Sequence, residues 1–338
     1  LAERAAACEA SGAEVEVAWN EGRAQELRDA LVATGQSDAS TTVDKLMPWL
    51  EQRAGQWRDA RVEACLDADL RGRWDAQMLE RSLWCLDERR IELQSLVDEL
   101  VAADDEVLRA SVPAAAGLAL AAPCRDERVL ERLASPPQPL RESLRQARAD
   151  VVRASNLQRI GRYEQGLALA RQALARAEAL QWPPLVAAAR AQLGSLLERT
   201  GRYADAELEL EQAYFGAAKG VAPEVAFDAA VQLCYVVGTR SARRDDGLRW
   251  VRFADIALND VIDADRLGEA AVLHCLAAIH ITAEQHGEAR DPLERALVLW
   301  EEALGPEHPK VAMSLSNLAI VQAEGGDLEG AKVTLERA

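Results

Sequence analysis

Ala173, Ala213, Ala254, Ala296 and Ala338 stand 40, 41, 42 and 42 residues apart, and seven positions before each lies another small residue: Gly166, Ala206, Gly247, Ala289 and Ala331. Seven residues is about two helical turns, so both small side chains fall on one helix face and admit a close neighbour. In four of the copies a bulkier residue lies between them, Leu210, Val251, Leu293 or Leu335. No other feature constrains the fold as much, because a single helix pair with such a face cannot bury it and successive copies must stack. Turn signals punctuate the copies, as at Gly161-Arg162-Tyr163, Gly201-Arg202-Tyr203 and Gly325-Gly326-Asp327.

The rest of the composition agrees with helices. Of 338 residues, 49% are hydrophobic but only 4% aromatic, and β-branched alternation is scarce, so the expected class is all α. The net charge is −17, which repels phosphate backbones and anionic lipid; nucleic acid is not an expected partner. No apolar run of about 18 residues is present, so membrane insertion of this segment is not expected. The chain lacks a starting Met, and Ala338 ends a helix without a polar capping repeat. Both features read as a piece of a longer protein, with the repeats continuing past 338.

These helical pairs resemble the tetratricopeptide repeat. The second unit carries the likeness best, with Leu193-Gly194, Leu197, Gly201-Arg202-Tyr203, Ala206, Leu210 and Ala213. Arg190 replaces the early aromatic and the late proline is missing. The period exceeds the usual 34 residues, and LGPEHPKVAMSLSNLA (304 to 319) resembles the 42-residue variant of kinesin light chains. The resemblance implies a solenoid of about five repeats over 140–338, binding a protein or peptide partner.

Residues 1–134 do not follow that period and are expected to form a separate helical domain. Val43, Leu46, Leu50, Arg53, Trp57, Ala60 and Ala64, and again Leu79, Leu83, Leu86, Arg90, Leu93, Val97 and Leu100, recur at steps of three and four. This predicts a long antiparallel hairpin over 43–101, with Arg53 and Arg90 interrupting its seam. Helices near 104–121 and 126–134 follow, and SPPQP (135–139) reads as the linker.

The wording of this region resembles the part that follows the catalytic domain in large bacterial, especially myxobacterial, serine/threonine kinases with C-terminal tetratricopeptide repeats. The residues concerned are Trp19, the W-x-x-x-R-x-x-A-C phrase ending at Cys65, CLDERRIELQSLVDEL (85–100), Cys124-Arg-Asp and 149–177. It implies an upstream kinase domain in the parent chain, often beyond a membrane-spanning helix. Within these residues there is no glycine-rich phosphate loop, catalytic-loop Asp, Asp-Phe-Gly or Walker sequence. The chain itself therefore reads as non-catalytic and without a cofactor, a sensing and interaction region; the alternative is a stand-alone scaffold or regulator arm.

A metal site at His274, Cys275, His280 and His286 is not expected, since helical steps of six rotate by about 240° and scatter the ligands. The six cysteines read either as buried thiols or, for Cys8, Cys65, Cys85 and Cys124, as two disulfides. The hairpin separates Cys65 from Cys85 by roughly 15 Å, which leaves Cys8 with Cys65 and Cys85 with Cys124, or the crossed alternative. Disulfides would place the region outside the cytoplasm. The candidate partner-binding groove lies on the first helices of the pairs, at Arg159, Gln192, Ser195, Arg199, Gln232, Arg240, His274, Ser316 and Asn317. Its arginines would meet carboxylates on a partner and its amides a peptide backbone.

Overall fold

The computed structural model describes residues 2–102, 104–219, 222–261 and 266–338, and among them every regular element is helical. No described helix is long and apolar enough to cross a membrane. The chain divides into two compact units, 1–185 and 186–338.

The first unit contains α1 (Ala2–Ser11), α2 (Glu21–Ala33), α3 (Ala39–Asp69), α4 (Ala76–Val101), α5 (Asp105–Ala116), α6 (Glu127–Arg132), α7 (Arg141–Arg159) and α8 (Tyr163–Leu180). Helices α3 and α4 are joined by a short turn and pack against each other. Asp75 starts α4 by accepting from Met78 N at 2.8 Å, and Asp104 starts α5 by accepting from Val107 N at 3.0 Å. That last bond holds the Asp104 carboxyl below its ordinary range. Val43, Leu46, Leu50, Trp57, Leu86, Leu93, Val97 and Leu100 are all buried, and the Trp57 indole donates to Leu86 O at 2.6 Å.

Arg53 does not break the seam. Its guanidinium donates to Leu118 O at 3.1 Å and Ala116 O at 3.2 Å, satisfying carbonyls left open where α5 ends. Burial pulls its pKa down while Glu92 opposes that. At the hairpin tip Asp67 is buried among Arg71, Arg73 and Arg125. Burial alone would raise its pKa, but hydrogen bonds from the three guanidiniums hold it down. Disulfides join Cys8 to Cys65 and Cys85 to Cys124, each with Cα atoms 5.4 Å apart. The first ties α1 to α3; the second ties α4 to the turn before α6. After the proline-rich stretch, α7 returns against α4, where the buried Arg148 guanidinium stacks 3.8 Å from the Trp84 ring.

The second unit takes up most of α9 (Pro183–Arg199) and then α10 (Tyr203–Ala217), α11 (Pro223–Leu233), α12 (Arg244–Asp260), α13 (Arg266–Thr282), α14 (His286–Leu304), α15 (Pro309–Glu324) and α16 (Leu328–Arg337). Between α11 and α12, Cys234–Arg240 winds as a π-helix. Ala206, Ala213, Ala254, Ala289 and Ala296 are at most 1% exposed, so the periodic small residues sit where helices meet. In the last copy Ala331 is buried, whereas Leu335 is 56% exposed.

A second period runs through the backbone. Gly161, Gly201, Ala242, Glu284 and Gly326 all adopt positive φ, between 52° and 86°, and recur at the same 40 to 42 residue interval as the alanines. Each ends the first helix of a pair. The residue after it donates back across the turn, Arg202 N to Leu197 O at 2.9 Å and Gln285 N to His280 O at 2.8 Å, which is a Schellman-type closure. In the third copy Arg243 N reaches Val237 O, one residue farther back, because the π-helix contains an extra residue in that turn.

Candidate partner-binding groove

In the second unit the first helices of successive pairs are linked side by side. Arg240, ending the π-helix, donates through Nε to Glu198 of α9 at 2.7 Å. Tyr235 Oη lies 2.7 Å from His274 Nδ1 of α13, and His274 Nε2 lies 3.0 Å from Asn317 Nδ2 of α15. Beside this line Cys234 and Cys275 form a third disulfide, with Cα atoms 6.4 Å apart. The four first helices are thus linked in a row.

The packing is tightest at the π-helix. A Cβ on Gly247 would fall on the Gly238 Cα, and one on Gly238 would meet Ile279 Cγ1 at 2.6 Å. A Cβ on Gly194 would meet Leu210 Cγ at 2.6 Å. The tight approach inferred from Gly194, Ala206 and Gly247 is therefore backbone against backbone or side chain.

His274 is a correction to the groove. It is only 3% exposed, and both ring nitrogens are occupied, so it presents nothing to a partner. Burial, with Lys310 nearby, lowers its pKa to about 4, and burial raises the Tyr235 hydroxyl above its ordinary value. The Trp300 ring packs 5.1 Å from it. Asn317 is half-buried and engaged with His274. Arg159 is a second correction. Its guanidinium lies in the first unit, 2.7 Å from the Glu92 carboxylate and 2.8 Å from Asn156 Oδ1, held by α4 and its own helix.

Arg199 and Arg240 remain at the surface. Their side chains are 50% and 49% exposed, and both approach one carboxylate, Glu198, at 3.6 and 2.7 Å through Nε. Gln192, Ser195 and Gln232 are half-buried on the same helices. Ser316 turns its hydroxyl back to Ala312 O at 2.9 Å. The cluster carries two guanidiniums against one carboxylate, a local excess of positive charge on an acidic chain. Three residues were missed from the sequence, Tyr235 and the Cys234–Cys275 pair. Tyr235 gives no signal there, but Cys234 and Cys275 lie 41 residues apart, one repeat, and that spacing marks equivalent positions on adjacent helices.

Among the described residues, the one cluster with metal-ligand atoms close together is Cys8, Cys65 and Asp69, whose two sulfurs are already joined to each other.

Residues 268–338 match the tetratricopeptide repeat family, so this stretch is a repeat region of a type that generally mediates protein–protein interaction. Solved structures similar to the chain include BtubC (BKLC) from P. vanneervenii, 21% identical over 59% of this chain and 80% of that one, with a TM-score of 0.49. A kinesin light chain protein of Podosopora anserina with nearly identical TPR-like repeats is 21% identical over 60% and 95%, TM-score 0.43. Rap protein complexed with competence and sporulation factor is 12% identical over 94% and 100%, TM-score 0.39. Likeness at these values transfers no residue role. No curated protein matches the chain.

Proposed function

We propose that this chain is the non-catalytic interaction and sensing region of a bacterial serine/threonine protein kinase, and that it binds a protein or peptide segment along the first helices of the second unit. The observation that supports the binding half is the Arg199, Glu198 and Arg240 cluster. Each guanidinium meets Glu198 through Nε, and each side chain is about half exposed. A carboxylate on the partner would find charge-assisted donors there, on two helices one repeat apart.

The kinase half rests on the resemblance over 19–124 and 149–177. In this reading 1–134 is the kinase-associated helical domain and 140–338 the repeat region. The pairing of all six cysteines favours an oxidising compartment, and so an extracytoplasmic position.

The test compares the chain with an Arg199→Glu, Arg240→Glu variant as bait. Loss of at least one recovered protein, with unchanged helicity, is the expected result; equal recovery of every protein rejects the groove. Sequencing the gene upstream of the Leu1 codon tests the kinase assignment. A strand lysine, a catalytic-loop Asp and an Asp-Phe-Gly triplet are expected there, and an upstream segment lacking them would leave a scaffold or regulator arm.

A further inference from the structure

The second helices of the unit carry a patch that the groove does not use. Phe215 on α10 is 54% exposed and Phe253 on α12 is 38% exposed, two of the chain's three phenylalanines. They belong to one aromatic cluster. Tyr214 lies 5.4 Å from Trp250 and 5.6 Å from Phe253, Trp250 lies 5.1 Å from Phe253, and Phe215 lies 5.1 Å from Tyr214 and 6.4 Å from Trp250. Tyr214 and Trp250 are buried and form the floor, while the two phenylalanines stand out of it. The patch extends along both helices, since Leu208 is 54% and Ile256 59% exposed, at helical spacing from Phe215 and Phe253.

The charges around it are uneven. On α10, Glu207 is paired with Arg243 and Glu209 with Arg190. On α12, Arg249 is paired with Asp246. Arg252 and Asp255, also on α12, are both exposed and of opposite sign. Among the described residues that leaves Glu211, one turn before Phe215, half-buried and without a hydrogen-bonded cation, and the exposed Lys219 one turn after Phe215. Burial raises its pKa first and the Glu207 charge adds to that, while Arg243, itself bonded to Glu207 and Asp246, offsets this only in part.

We infer that the Phe215 and Phe253 patch, with Glu211 at its edge, docks a protein segment that carries a lysine or arginine beside an apolar side chain. The apolar side chain covers the phenylalanines. The cation meets the Glu211 carboxylate and the aromatic faces, which attract it through their quadrupole. A second copy of the chain is a poor occupant, because each copy has a net charge of −17. The inference does not depend on the groove, which lies on the other helices of the pairs.

Two synthetic amphipathic helical peptides with identical leucine positions, one filled with lysine and one with glutamate, test it by calorimetry against the whole chain. Binding of the lysine peptide is expected to exceed that of the glutamate peptide by about tenfold or more. Phe215→Ser with Phe253→Ser should weaken it about tenfold, and Glu211→Gln should shrink the preference about threefold. If the double variant loses helicity, Leu208→Ser with Ile256→Ser makes the same comparison at exposed side chains outside the ring cluster. Equal binding of the two peptides, or binding unchanged by the apolar substitutions, overturns the inference. So does a dimer of the wild-type chain, seen by light scattering, that these substitutions dissolve.

Discussion

Both units pair helices through short turns, yet they fix the pairing by different means. In the first, charged groups are buried: Arg53, Asp67, Glu92, Glu99 and Arg148 are each less than 9% exposed. Among the described residues the second unit buries no Asp, Glu, Lys or Arg; its buried polar side chains are His274, His308 and Ser314. A non-periodic set of helices of unequal length has no repeating shape to set its register, and directional contacts such as Arg53 to the Ala116 and Leu118 carbonyls supply it. A periodic set gets its register from Gly and Ala faces and from one left-handed turn residue per pair.

The largest expected effect is loss of a cross-link, and the second unit's Cys234–Cys275 bridge, with a loop of 41 residues, should match those of the first. Replacing Cys85 and Cys124 by serine, or Cys8 and Cys65, should cost about 4 kcal/mol each, from loops of 39 and 57 residues. Denaturant unfolding of the oxidised variants reads this, and costs near zero would show that buried charges rather than cross-links hold the first unit's helices in register. Glu92→Ala comes next, at about 3 kcal/mol, because it strands the Arg159 guanidinium and leaves Arg53 without its balancing charge.

In the second unit acid should act through His274. The ring titrates at about 4 when folded and near 6.5 when unfolded, so between those values the unfolded chain takes up a proton that the folded chain refuses. Stability should fall by about 3 kcal/mol as pH drops from 6.5 to 4 and level off below. Melting curves of His274→Gln should lack this part of the acid sensitivity. Gly247→Ala should cost about 2 kcal/mol, since its Cβ falls on the Gly238 backbone, which cannot rotate away as a side chain would. A cost below that of an exposed Gly→Ala change elsewhere would show that small faces do not set the register.

The small-residue period and the helical class were legible because they repeat or follow a helical step. The turn residue was legible at Gly161, Gly201 and Gly326, where glycine announces it, and hidden at Ala242 and Glu284, where neighbouring structure forces an ordinary residue into the same conformation. The π-helix leaves no composition mark. In the groove, the exposed arginines followed from position along a helix. The withdrawal of His274 did not, because its bond to Asn317 joins residues 43 apart whose side-chain directions depend on how adjacent pairs stack.

The smallest effect is the most direct test of a shared register. At Ala242, with φ of 52°, substitution by glycine relieves the left-handed strain and should raise stability by about 1 kcal/mol. In a right-handed helical turn the same substitution lowers stability by about the same amount. A melt of Ala242→Gly against wild type therefore reads the sign of the backbone at the third turn. An increase fits five equivalent turns, and a decrease would contradict them.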